Sequence, residues 1–91
     1  MITAIILINT ERNKVNNVGA QLAGIEGIEE VYSVSGRYDL VVIIHIQHLD
    51  QLSQLVTEKL SKVEGITQTE SMVAFKKISP RDIAGMFDLG S

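Results

Sequence analysis

An α+β sandwich of order β-α-β-β-α-β is the fold class this chain predicts, and three observations predict it. The pattern helix, Glu-Gly-Ile, strand occurs twice, at Ile25-Glu26-Gly27-Ile28 and Val63-Glu64-Gly65-Ile66. Short β-branched runs alternate with apolar stripes of helical period. A polar turn, Ser35-Gly36-Arg37-Tyr38-Asp39-Leu40, parts two strands at the centre of the duplication. Right-handed crossovers and a central hairpin then give a four-stranded antiparallel sheet with both helices on one face, the ferredoxin-like arrangement.

Each element has its own signal. Ile2 to Ile8 is an apolar, β-branched run too short for a helix, and reads as a strand buried on both faces. Asn9 to Lys14 is a polar loop. From Val15 the apolar positions Val18, Leu22 and Ile25 follow at helical spacing, and Gly24 and Gly27 are the stop signals. Glu30 to Ser35 is the second strand and Asp39 to Gln47 the third, joined as a hairpin through Gly36-Arg37-Tyr38. Leu49, Leu52, Leu55, Val56, Leu60 and Val63 form one helical stripe that ends at Gly65, with Lys59 and Lys62 near its negative end. Thr67 to Ile78 is the fourth strand. Ser79-Pro80-Arg81-Asp82 opens a short tail helix, with Ile83, Met86 and Phe87 on one face and Gly90 beyond it. The expected organisation is one domain, residues 1–79, and a helical tail, residues 80–91.

Composition removes several function classes. Ninety-one residues with 45% apolar content make one globular domain. Without cysteine there is neither a disulfide frame nor a thiolate metal site. No apolar run approaches the ~20 residues of a membrane span, and the opening strand lacks a basic n-region and a cleavage site. Cytoplasmic location is the expectation. Net charge is −3, and the eight basic residues are scattered. Direct nucleic-acid binding, which draws on a concentrated basic face, is not expected. The third strand is largely apolar at both parities (Leu40, Val42, Ile44, Ile46 and Val41, Ile43, His45). A sheet with helices on one face only would then expose an apolar surface larger than a monomer usually shows, which predicts packing against a second subunit.

Three constellations carry possible chemistry. Gly36, Arg37, Tyr38 and Asp39 bring a guanidinium, a phenol, a carboxylate and glycine N–H into one turn, the set a free amino acid needs. The plainer alternative is a hairpin in which glycine supplies positive φ and Asp39 bonds its own turn. Thr67, Thr69 and Ser71 share one face of the fourth strand, where their hydroxyls would bond a ligand or simply serve β-propensity. His45 and His48 with Asp50 do not make three or four convergent ligands, so no metal is expected. His48 stands at a helix cap, and His45 is read as a core or interface histidine. No nucleophile elbow or phosphate loop is present, and no catalytic residue or cofactor is assigned.

With this element order, the Gly-x-Tyr-Asp-Leu turn and the Gly-Ile-x-x-Thr-x-Ser stretch in register, the chain resembles the effector-binding module of the Lrp/AsnC transcription regulators. The likeness covers residues 1–79. The family's Gly-Asp-Tyr-Asp turn stands here as Gly36-Arg37-Tyr38-Asp39, and its Thr-x-Thr as Thr69-Glu70-Ser71. The resemblance implies sheet-mediated homodimers, assembled into octamers or decamers, that bind an amino acid or similar small effector between dimers. It marks Gly36, Arg37, Tyr38, Asp39, Thr69 and Ser71 as ligand contacts. Full-length regulators carry an N-terminal helix-turn-helix, whereas this chain begins at its first strand. A stand-alone module is therefore expected, acting on transcription through oligomerisation or through a full-length partner regulator. Arg37 replaces the family's aspartate and reverses the charge at the ligand position. A guanidinium there suits an α-carboxylate or an acidic side chain. The rival reading is a small dimeric ferredoxin-like enzyme of monooxygenase type, with His45 as its catalytic candidate.

Overall fold

The computed structural model describes residues 1–80. Its strands are β1 (Ile2–Thr10), β2 (Ile28–Ser33), β3 (Leu40–Ile46) and β4 (Ile66–Val73). Helix α1 (Val15–Ala23) follows β1 and helix α2 (Leu49–Gln54) follows β3. All pairings are antiparallel, in the order β2-β3-β1-β4. This is the ferredoxin-like α+β fold.

The period-2 alternation of the strands decides which side is covered. Ala4, Ile6 and Ile8 of β1, with Leu40, Val42, Ile44 and Ile46 of β3, are buried. Val18 and Leu22 of α1 and Leu55 and Leu60 after α2 complete that core. The intervening residues Ile5, Leu7, Val41 and Ile43 point to the other face, which no helix among the described residues covers, and are half-buried. Tyr32 and Met72 extend this face onto the outer strands by register, Tyr32 opposite Val41 and Met72 opposite Ile5, and both are exposed.

The duplicated Glu-Gly-Ile is a conformational repeat. Both glycines take positive φ, 99° at Gly27 and 101° at Gly65, turning the chain from helix into strand. Their surroundings differ. A Cβ on Gly27 would meet nothing within 4 Å, whereas one on Gly65 would lie 2.9 Å from Val18 Cγ2. The Gly65 carbonyl also accepts the Glu11 N–H at 2.7 Å, closing the β1–α1 loop onto the start of β4.

Several boundaries differ from expectation. β2 begins at Ile28 and not Glu30, because Ile28 pairs with Ile44 ahead of an irregularity in the ladder before Glu30. It ends at Ser33, so the hairpin connection is longer than the three-residue turn read from the sequence. β4 stops at Val73, close to where its partner strand begins. Val73 pairs with Ala4, Ala74 N–H reaches Thr3 O, and β1 itself starts at Ile2. Phe75 and Ile78 are good β-formers, yet they sit exposed without a ladder. The long second helix is also divided. After α2 the chain makes a π turn over Leu55–Lys59 and a 3₁₀ turn over Leu60–Lys62. The Thr57 and Ser61 hydroxyls donate to the carbonyls of Ser53 and Thr57, back-bonding that bends helices. The widened turn suits the core, since Leu55 and Leu60, five residues apart, are both buried. Leu49, read as part of the same stripe, is 56% exposed instead. The tail helix beyond Pro80, with Ile83, Met86 and Phe87, lies outside the described residues.

Gly65→Ala should be the costliest glycine substitution of the repeat. It meets Val18 and forces a left-handed backbone, for a loss of about 2–4 kcal/mol, whereas Gly27→Ala meets only the backbone term of about 1 kcal/mol. Urea denaturation of the two variants at unchanged m-value measures the difference. Equal losses would mean that the Val18 contact relaxes away.

Candidate functional site

The turn between β2 and β3 is held by Asp39. Its N–H donates to Ile8 O at 2.9 Å, its carbonyl accepts Val34 N–H at 3.1 Å, and its Oδ2 accepts Thr10 N–H at 2.8 Å. The carboxylate therefore does not close its own turn. It reaches the end of β1, where Thr10 has left the regular ladder at the register shift between Asn9 and Thr10. A backbone donor stranded there needs an acceptor, and the half-buried Asp39 supplies it. Gly36 takes φ 123° with open space about it, as the bend requires.

Tyr38 leans the other way. Its hydroxyl donates to Glu70 Oε2 of β4, across the end of β1. Glu70 pairs with Leu7, so this contact lies on the uncovered face. The hydrogen bond to Glu70 is the main reason the Tyr38 phenol is pushed above its ordinary value. Partial desolvation and the Glu70 charge add to the rise, and the Arg37 guanidinium opposes it. Tyr32 and Glu30 make a second phenol–carboxylate contact on the same face, with the same upward effect on Tyr32. Arg37 itself is exposed, and among the described residues its guanidinium has no hydrogen bond or ion pair.

Thr69 and Ser71 stand opposite Ile8 and Ile6, both buried, so their side chains take the helix side of the edge strand. Thr69 lines a hollow of about 270 Å³ with Leu60, Ser61, Val63 and Ile66. Thr67 falls in the irregular stretch where β4 steps from Gln68 opposite Asn9 to Ile66 opposite Thr10. The turn and Thr69 thus flank the same end of β1, the turn from the β3 side and Thr69 from the β4 side. Tyr38 meets Glu70 on the face opposite to the two hydroxyls, and Ser71 lies two residues further along the strand. Within one protomer the six residues lie at one end of the sheet or near it, but not on one side.

Glu70 is the site residue that the sequence pattern hides, because Thr69-Glu70-Ser71 draws attention to its hydroxyls. A signal for it exists: a carboxylate at the opposite parity of a strand, facing an apolar row. His45 is exposed and not a core histidine. It borders a hollow of about 440 Å³ on the uncovered face with Thr3, Phe75, Lys76 and Lys77. His48 is at the helix start as expected, where Gln51 Oε1 accepts N–H groups from His48 at 3.0 Å and Gln47 at 2.7 Å. Among the described residues no helix is long and apolar enough to cross a membrane.

Asp39→Ala removes the acceptor from Thr10 N–H and should lower stability by about 1–3 kcal/mol, whereas Arg37→Ala, which breaks no bond, should stay within about 0.5 kcal/mol of the parent. Chemical denaturation followed by circular dichroism compares them. An Asp39→Ala variant as stable as the parent would show that water replaces the carboxylate at Thr10.

Comparison with known proteins agrees with this architecture. Residues 3–83 match the Lrp/AsnC ligand binding domain family. Among curated proteins, the HTH-type transcriptional regulators PF1231 of Pyrococcus furiosus and PH1916 of Pyrococcus horikoshii, both uncharacterized, are 31% and 33% identical to it. The matches run over 72 and 76 residues, 79% and 80% of this chain. The chain spans about half the length of these relatives, 49% and 51%. Among solved structures, TTHA0845 of Thermus thermophilus superposes with a TM-score of 0.81 at 37% identity, covering 87% of this chain and 99% of that one. The hypothetical protein PHS023 of Pyrococcus horikoshii gives 0.76 at 36% identity, covering 85% and 93%. FFRP-DM1 gives 0.76 at 37% identity, covering 82% and 100%. The sandwich, the turn stitched to β1 and the family match from residue 3 to residue 83 together place the chain in the Lrp/AsnC ligand-binding-domain family, a regulatory domain related to transcriptional regulators.

Proposed function

We infer that this domain is a non-catalytic sensor of a free amino acid or similar small effector, working as a homo-oligomer in which ligand occupancy shifts assembly. The observation that carries the reading is an exposed, unpaired Arg37 guanidinium on a turn that Asp39 anchors to the central strand. A rigid turn presenting a free cation is suited to a carboxylate, and a guanidinium binds one through two parallel N–H bonds. Family membership supports a regulatory role. A structure of the Neisseria meningitidis regulator NMB0573 described as an L-Met complex shares the fold at a TM-score of 0.77 and 15% identity. It gives an example of an amino acid bound to a protein of this architecture.

The uncovered sheet face is the natural assembly surface. Ile5, Leu7, Val41 and Ile43 form its centre, and Tyr32 and Met72 its flanks. An apolar area of this kind favours association, because covering it removes it from water. Homodimers formed through this face would be the unit of an octameric or decameric ring. Gly36, Arg37, Tyr38, Asp39, Thr69 and Ser71 would contribute to sites between such units, which accords with their division over two sides of one protomer. A ligand bound between subunits stabilises whichever assembly holds it better. The effect on transcription would pass through that assembly or through a full-length regulator joined to it, and not through direct contact with DNA.

Sedimentation velocity with and without each of the twenty amino acids tests this. A ring-sized species whose distribution shifts with one or two of them is the expected result. A large assembly indifferent to all twenty would speak for an assembly adaptor, and a monomer at micromolar concentration would overturn the sheet-mediated contact. A ligand-blind dimer would favour the monooxygenase-type reading, with His45 and its neighbouring hollow as the place to look for turnover. Calorimetry tests the specificity that Arg37 implies. Aspartate or glutamate should bind more tightly than leucine, and Arg37→Ala should erase the preference. Tight leucine binding with neither acid bound would reverse it.

A further inference from the structure

We propose that Glu70, and not Asp39, is the carboxylate that holds the ammonium group of the effector. This rests on the amino-acid-sensing reading and goes beyond it by assigning the second half of the zwitterion.

An amino acid brings one carboxylate and one ammonium, and a receptor needs a cation for the first and an acceptor for the second. The turn contains one acid, Asp39, but its carboxylate is already committed. Its Oδ2 accepts Thr10 N–H at 2.8 Å, and its own N–H and carbonyl are bonded to Ile8 and Val34. Diverting it to a ligand would orphan the Thr10 donor and loosen the turn that presents Arg37.

Glu70 has no such duty to the backbone. It is exposed on β4 and meets the turn through the Tyr38 hydroxyl, which bonds one of its two oxygens. Oε1 of Glu70 accepts no hydrogen bond among the described residues. Arg37 immediately precedes Tyr38 on the same turn. Guanidinium, phenol and half-occupied carboxylate therefore follow one another at the turn end of the sheet. With Asp39 spent on Thr10, Arg37 and Glu70 offer one positive and one negative group, the complement of a zwitterion. Arg37 takes a carboxylate, Glu70 Oε1 takes the ammonium, and Tyr38 holds the Glu70 side chain in place.

The test compares L-glutamate with glutarate, which lacks only the ammonium, and L-leucine with 4-methylpentanoate, by calorimetry on the full chain. The parent should favour each amino acid over its des-amino counterpart by about tenfold or more. Glu70→Gln keeps an oxygen for the Tyr38 hydroxyl but loses the charge, and should bring both pairs to near equality. Tyr38→Phe should keep most of the preference, which separates loss of the carboxylate from loss of the contact that positions it. The comparison is made at a protein concentration where sedimentation shows Glu70→Gln and the parent as the same species, so that altered assembly does not stand in for altered recognition. A Glu70→Gln variant that still prefers the amino acids tenfold overturns the assignment, as does a parent that binds both members of each pair alike. A parent that binds neither amino acid and neither acid overturns the sensing reading and the role of Glu70 together.

Discussion

The rest of the structure depends on the backbone donor that β1 leaves behind at Thr10. The strand is paired on both sides as far as Ile8, to Leu40 on β3 and Thr69 on β4, and then its register to β4 slips. A single carboxylate from the facing turn fills the gap. Because the acceptor lies 29 residues away, the bond does more than close a loop. It ties the start of β3 to the end of β1, on the turn that carries Gly36, Arg37 and Tyr38. Stability and presentation of the candidate site are one property here, for the residue that would be convenient for binding is also the one that holds the turn.

That coupling explains which parts were legible in the sequence. The buried parity of β1 and β3 could be read directly, because alternation is local and both strands obey it. The two Glu-Gly-Ile stretches could be read as turns, since a left-handed backbone after a helix asks for glycine. Three features were not legible, each for a tertiary reason. The fourth strand has enough β-formers to run past Phe75, but a strand needs a partner, and the ladder with β1 closes at Ala4 and Val73. Ile28 belongs to β2 because Ile44 is opposite it, which no local pattern records. The π turn arises where Thr57 and Ser61 compete for helical carbonyls while Leu55 and Leu60 both seek the core, a balance that a period-3.6 stripe does not express.

At the candidate site the same division holds. The residue types of the turn were legible, and Gly36 takes the positive φ that the sequence assigned to it. Asp39 was legible as a residue that matters and not as to why, because its partner is remote. Glu70 was hidden by the hydroxyls on either side of it. Parity alone separates them: Thr69 and Ser71 share the helix side, and Glu70 faces away. A motif read as a string therefore merges two surfaces that the strand keeps apart.

This separation bears on how a sensor of this shape would work. The uncovered face has an apolar centre, with phenol–carboxylate contacts at Tyr32–Glu30 on its β2 edge and at Tyr38–Glu70 toward its turn end. Burying that face against another subunit would desolvate those carboxylates unless a positive group meets them, and a buried, unpaired charge is costly. A cation from the neighbouring chain would remove the penalty within the dimer, and an ammonium delivered by a ligand would do so where the turn end of the face borders the next dimer. Assembly and charge compensation are then linked without any change in backbone conformation. Arg37 fits this logic, because a third acid beside Glu70 and Asp39 would raise the cost of closing the interface, whereas a guanidinium lowers it.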